Sequence, residues 1–138
     1  MKYILVTQTF QKQLKQFRRY LKEQDVVEDI KWFIHRGLTK GEAYLKQYTI
    51  LTIHLQVVKL RICVYPADFR YLVGILNEKE YLPIFIDLKT GEYGENLSLE
   101  ASKRTVRVIE MAILGVISDY LQHGEEATKY TVYQVTDG

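Results

Sequence analysis

The chain has 138 residues, 47% hydrophobic and 26% charged, which suits one globular domain with a single core. Its net charge is +2, from 19 Lys and Arg against 17 Asp and Glu, so overall basicity does not mark a nucleic-acid binder. One cysteine, Cys63, excludes an internal disulfide; no apolar run nears the roughly 20 residues of a membrane span, and the start MKYILVTQTF lacks a secretory h-region, so a cytoplasmic protein without membrane contact is expected.

Lys2 to Val6 is a short apolar run and predicts a first strand. After Thr9, the expected N-cap, Phe10, Leu14, Phe17 and Leu21 step by four, three and four, the spacing of one buried helical stripe. Lys2, Lys12, Lys15, Arg18, Arg19 and Lys22 all precede the first acidic residue, Glu23. Among them Lys12, Lys15, Arg18 and Arg19 are candidate RNA contacts, set against the ordinary alternative of a solvated helix face. Asp25 followed by Glu28 reads as an acidic capping box opening a second helix, with Val27, Ile30, Phe33 and Ile34 as its stripe and Gly37 as its end. The first helix and this one form a hairpin expected to pack on a sheet through Leu14, Phe17, Ile30 and Phe33.

Leu38 to Lys46 reads as a loop or frayed turn. From Ile50 the period becomes two, and at Val57-Val58 the apolar parity changes, as it would at a β-bulge or where a separate edge segment begins. Val58 to Asn96 then carries three apolar runs with short turn segments at Tyr65–Asp68 and Asn77–Glu80, the pattern of an antiparallel meander. In the first run Lys59 and Arg61 share a face, about 6–7 Å apart by strand rise. Arg70 opens the second run, and Lys89 follows the third with Asp87, Glu92 and Glu95 close to it in sequence. Ser98 is the expected cap of a long last helix, with Glu100 in its first turn and Gly124 at its close. Met111, Ala112 and Leu114 widen its apolar stripe, which suggests a sandwiched helix, a partner or a homo-oligomer. The tail Lys129 to Val135 has strand composition, suited to a sheet edge or to an arm that orders on binding. His35, His54 and His123 lack metal-ligand spacing, so neither a metal nor another cofactor is predicted.

Strand, helix hairpin, meander and closing helix, in that order, resemble the RelE/ParE superfamily of toxins from bacterial toxin–antitoxin systems. Val58-Lys59-Leu60-Arg61-Ile62 is similar to the K-x-[KR] strand of these toxins, and Asp68-Phe69-Arg70-Tyr71-Leu72-Val73 to their g-y-R-v-l-y strand. The stretch from Asp87 to Ser98 resembles the y-s-K-x-e-x-e-N-L-s ending of one branch. The resemblance spans roughly residues 1 to 110 and implies an α+β domain over residues 1–124 with 125–138 as an added tail. It further implies cleavage of messenger RNA, commonly on the ribosome, by metal-free attack of a 2′-hydroxyl on the adjacent phosphate, and an antitoxin partner. Lys59, Arg61, Arg70 and Lys89 would then hold phosphate and stabilise the transition state, and Tyr93 would stack a base or assist proton transfer. Two other classes share the fold expectation: a toxin that binds a protein target such as a topoisomerase, and an inactive protein that holds an antitoxin-like partner. Whether the four cations share one open site separates them from the nuclease.

Overall fold

A computed structural model describes residues 1–95, 97, 98, 102–122 and 129–136, which form an α+β fold built on one mostly antiparallel sheet. Its strands are β1 (Lys2–Thr7), β2 (Ala43–Ile50), β3 (Ile53–Val64), β4 (Ala67–Leu76), β5 (Glu80–Leu88) and β6 (Tyr130–Val135). They lie side by side as β2-β3-β4-β5-β1-β6, with β1 parallel to β5 and every other neighbouring pair antiparallel. The helices are α1 (Gln8–Leu14), followed by a tight 3-10 turn at Lys15–Phe17, α2 (Glu23–Arg36) and α3 (Lys103–Leu121).

Two apolar clusters divide the core between the two faces of the sheet. Phe10, Leu14, Val26, Val27, Ile30 and Phe33 from α1 and α2 meet Ile4, Val58, Leu60, Phe69, Tyr71 and Val73. Phe17 is partly buried there, its ring edge-on to Phe69 at 5.2 Å. On the other face Ile109, Ile113, Val116 and Ile117 of α3 meet Leu5, Leu55, Val57, Leu72, Leu82 and Ile84. At one point α1 and α3 touch: a side chain on Gly115 would come within 2.9 Å of Thr9.

Several local expectations are corrected. Thr7, not Thr9, caps α1, its hydroxyl accepting the Phe10 N–H at 3.3 Å, while the Thr9 N–H donates to Asp119 of α3 at 2.9 Å. The first helix does not run on to Leu21; it ends at Leu14 and tightens. Asp25 is not the cap of α2 but lies inside its first turn, reaching back to accept the Lys22 N–H at 2.8 Å. Gly37, at φ +76°, ends that helix. The supposed loop at Leu38–Lys46 becomes strand from Ala43, and the run through Ile50 is broken by a two-residue turn at Leu51-Thr52. Ser102, not Ser98, caps α3, its hydroxyl accepting the Thr105 N–H at 3.3 Å. Glu100, Gly124 and the 124/125 boundary lie outside the described residues.

The parity change at Val57-Val58 has a different cause from either of the two expected, a bulge in this strand or a separate edge segment. β3 pairs with β4 in unbroken register from Gln56 to Val64, so β3 itself carries no bulge there. Leu55 and Val57 pack under α3, whereas Val58, Leu60 and Ile62 pack under α1 and α2. A regular strand thus passes from having one face covered to having the other covered, because the helical layers overlie different ends of it. The bulge sits on the neighbouring strand, where Leu45 is the extra residue between Tyr44 and Lys46. The tail strand β6 pairs antiparallel with β1 and forms an edge of the sheet. Among the described residues no helix is long and apolar enough to cross a membrane.

Candidate functional site

The face exchange in β3 positions the first three cations. Beyond Val57 the residues of that parity, Lys59, Arg61 and Cys63, continue on the face whose core lies under α3, but further along the strand. On β4, Arg70 continues the parity of Leu72 and Leu76, which also pack under α3. The register sets Arg61 directly opposite Arg70 and Lys59 opposite Leu72, so Lys59, Arg61 and Arg70 are near neighbours on one face. Arg61 is exposed and Lys59 half-buried. The Arg70 side chain is only 12% exposed; it donates to the Phe69 carbonyl at 3.0 Å and lies 3.5 Å from the Asp68 carboxylate. Asp87 stands opposite Arg70 on β5.

A second group fixes the backbone of Arg61. β2 ends at Ala43, opposite Lys59, so the Arg61 N–H has no strand partner on that side. The Glu42 carboxylate supplies one, accepting that N–H at 3.0 Å. It also accepts from Thr39 N–H, the Thr39 hydroxyl and Arg36 at 2.9, 2.8 and 3.1 Å. Burial alone would raise the Glu42 pKa, but these hydrogen bonds outweigh it and hold the carboxyl below its ordinary range. Nearby, the fully buried Tyr71 donates its hydroxyl to Asp29 of α2. Burial pushes Asp29 up, Glu42 adds to the rise, and the Tyr71 bond and Arg36 oppose it.

Lys89 stands at the rim of the sheet, opposite Asp68 and two residues along from the Arg70–Asp87 pair. It follows the end of β5, its N–H bonded to the Asp68 carbonyl at 2.8 Å, and it lines a rim pocket of about 360 Å³ with Tyr20, Pro66, Ala67, Asp68, Leu88 and Thr90. The neighbouring acids are occupied elsewhere: Asp87 accepts from the Leu88 and Tyr93 N–H groups at 2.8 and 2.9 Å, and Glu92 pairs with Arg104 at 2.6 Å. Lys89 has no ion pair among the described residues. Tyr93 is half-buried with its ring edge-on to Phe85 at 5.8 Å, where it closes the turn begun by Asp87.

Three of the four candidate RNA contacts of the first helical segment, Lys12, Lys15 and Arg18, line an open groove. Gln8, Gln11, Lys12, Lys15, Arg18, Lys22 and Glu23 line about 580 Å³ of it, over a floor of Leu14 and Leu21. Arg19 is exposed beside it but does not line it. Glu23, held by Gln11 at 2.8 Å and by the Tyr133 hydroxyl of β6, lines the same groove and offsets part of the cations' charge. Burial and that bond push Tyr133 up to about 12.

Sequence reasoning missed Glu42, Asp29 and Tyr20. Asp29 had a legible signal, since it falls between Val26 and Phe33 on the buried stripe of its helix. Glu42 and Tyr20 had none, because each acts through a turn whose path is set by tertiary contacts. Comparison of the chain with protein-family models, with curated proteins and with solved structures found no match.

Proposed function

We propose that this chain is a RelE-like toxin that seats an RNA phosphodiester on Lys59, Arg61 and Arg70 and cleaves it without a metal. The observation that supports it most is the strand register: Arg61 faces Arg70 across β3 and β4, with Lys59 two residues away on the same side. In the reaction the 2′-hydroxyl oxygen attacks phosphorus as its proton passes to solvent, the bond to the 5′-oxygen breaks and that oxygen takes a proton from solvent, and a 2′,3′-cyclic phosphate and a 5′-hydroxyl result. The pentacoordinate intermediate carries added negative charge, which guanidinium and ammonium groups stabilise better than they stabilise the starting diester. Arg61, anchored through its backbone by Glu42, and Lys59 supply that charge at the surface. Arg70 supplies it from beneath, its guanidinium oriented by Asp68 and the Phe69 carbonyl. Lys12, Lys15 and Arg18 offer a separate electrostatic contact for the RNA or the ribosome. The exposed Met111, Leu114 and Leu121 of α3 fit an antitoxin or a second copy as partner.

One observation favours a second reading, binding without cleavage. Arg70 is largely covered and already has an acidic partner, and Asp87 stands on its other side. Expression of the chain in bacteria separates the two. The nuclease reading predicts growth arrest with discrete cuts in translated messages. Arg61→Ala and Lys59→Ala should each slow cleavage about a hundredfold or more while melting like the parent. Intact messages on expression of a folded, partner-free chain, with or without growth arrest, would contradict the nuclease reading and leave the binding one in its place.

A further inference from the structure

We infer that the rim pocket between β4 and β5 is a nucleobase subsite for single-stranded RNA, an inference that rests on the RNA reading above. Tyr20 lines it, a residue that is 41% exposed and whose hydroxyl has no partner among the described residues. Pro66 and Leu88 add apolar surface, and the adjoining Tyr65 is 93% exposed. Three residues with polar side chains, Asp68, Lys89 and Thr90, complete the lining. An exposed aromatic face, a hydrogen-bonding edge and a cation are the parts that hold an unpaired base and its flanking phosphate. Asp68 also joins the pocket to the cleavage face, since its side chain lies 46% exposed with one oxygen 3.5 Å from Arg70. A base bound here is therefore one side chain away from the guanidinium that holds the scissile phosphate. Adenine, with the larger ring to stack on Tyr20 and an amino group to donate to Asp68, suits the pocket better than uracil, whose smaller ring offers only its N3–H as donor.

The test uses the full chain with short single-stranded oligoadenylate and oligouridylate, and with polyphosphate as a polyanion that has no bases. Oligoadenylate should bind more tightly than oligouridylate. Tyr20→Ala should weaken oligoadenylate binding about tenfold or more, Tyr20→Phe should restore it, and polyphosphate binding should be the same for all three. A 2-aminopurine oligonucleotide should be quenched on binding the unsubstituted chain, a readout that needs no variant. RNA binding that is indifferent to Tyr20, unquenched, or equal for the two oligonucleotides overturns the subsite alone. An unsubstituted chain that binds no RNA overturns the proposed function and the subsite with it.

Discussion

Glu42 shows how a single carboxylate can set the geometry of a site it does not enter. Its side chain is fully shielded and ties α2, the following loop and β3 together through Arg36, Thr39 and the Arg61 N–H. Glu42→Ala removes all of these at once, and we expect a loss of about 1–3 kcal/mol in chemical denaturation. Because the folded pKa is depressed, the stability Glu42 contributes is present above its unfolded value of 4.5 and lost as pH falls through the folded one. Glu42→Gln should accordingly flatten the acid limb of the stability profile; an unchanged acid limb would contradict this. Tyr71 has the opposite sign. Burial first, then the nearby Asp29 charge, hold its pKa well above 10.0, so its contribution is present below the unfolded value and lost as pH rises past 10.0. Tyr71→Phe should remove that alkaline loss while costing about 1–3 kcal/mol at neutral pH, since Asp29 loses its donor. A Tyr71→Phe chain that keeps the same alkaline slope would refute the assignment.

At the scale of elements, the turns carry both a prediction and the limit of what the sequence reveals. Leu51 and Thr52 both adopt positive φ, +49° and +66°, in a two-residue hairpin that Asn-Gly satisfies without strain. Replacing Leu51-Thr52 with Asn-Gly should raise stability by about 1–2 kcal/mol, measured by denaturant midpoint. No gain would mean that the turn is fixed by contacts other than its own backbone. The same strain explains why the hairpin was not legible: a β-branched Thr and a Leu at such a turn give no local signal, and the first half of β2, Ala43 to Lys46, read as loop. Strands β4 and β5 and the stripes of α1 and α2 were legible, since alternation, helical spacing and the Asn77 turn agree with the tertiary structure. The cation cluster was legible only in part. Parity placed Lys59 with Arg61, but cross-strand register, which depends on turn geometry, was needed to bring in Arg70 and to place Lys89 at the rim opposite Asp68.

For the whole molecule, the unequal reach of the two helical layers matters more than net charge. Helix α3 covers one end of its face and leaves Lys59 and Arg61 beyond it, while α1 and α2 fill the opposite face. A nearly neutral chain of net charge +2 can therefore still present local cationic patches, one on the sheet and one along the first helical segment. The reach of such patches is set by the screening length, about 8 Å at physiological salt, so under the proposed nuclease reading the ribosome supplies the rest of the site. The most direct test is the end chemistry of messages exposed to the purified chain in a translating extract. The account predicts discrete fragments ending in 2′,3′-cyclic phosphate, with 5′-hydroxyl ends downstream, and their loss with Arg61→Ala. Intact messages, or fragments ending in a free 3′-hydroxyl with a 5′-phosphate downstream, would contradict it.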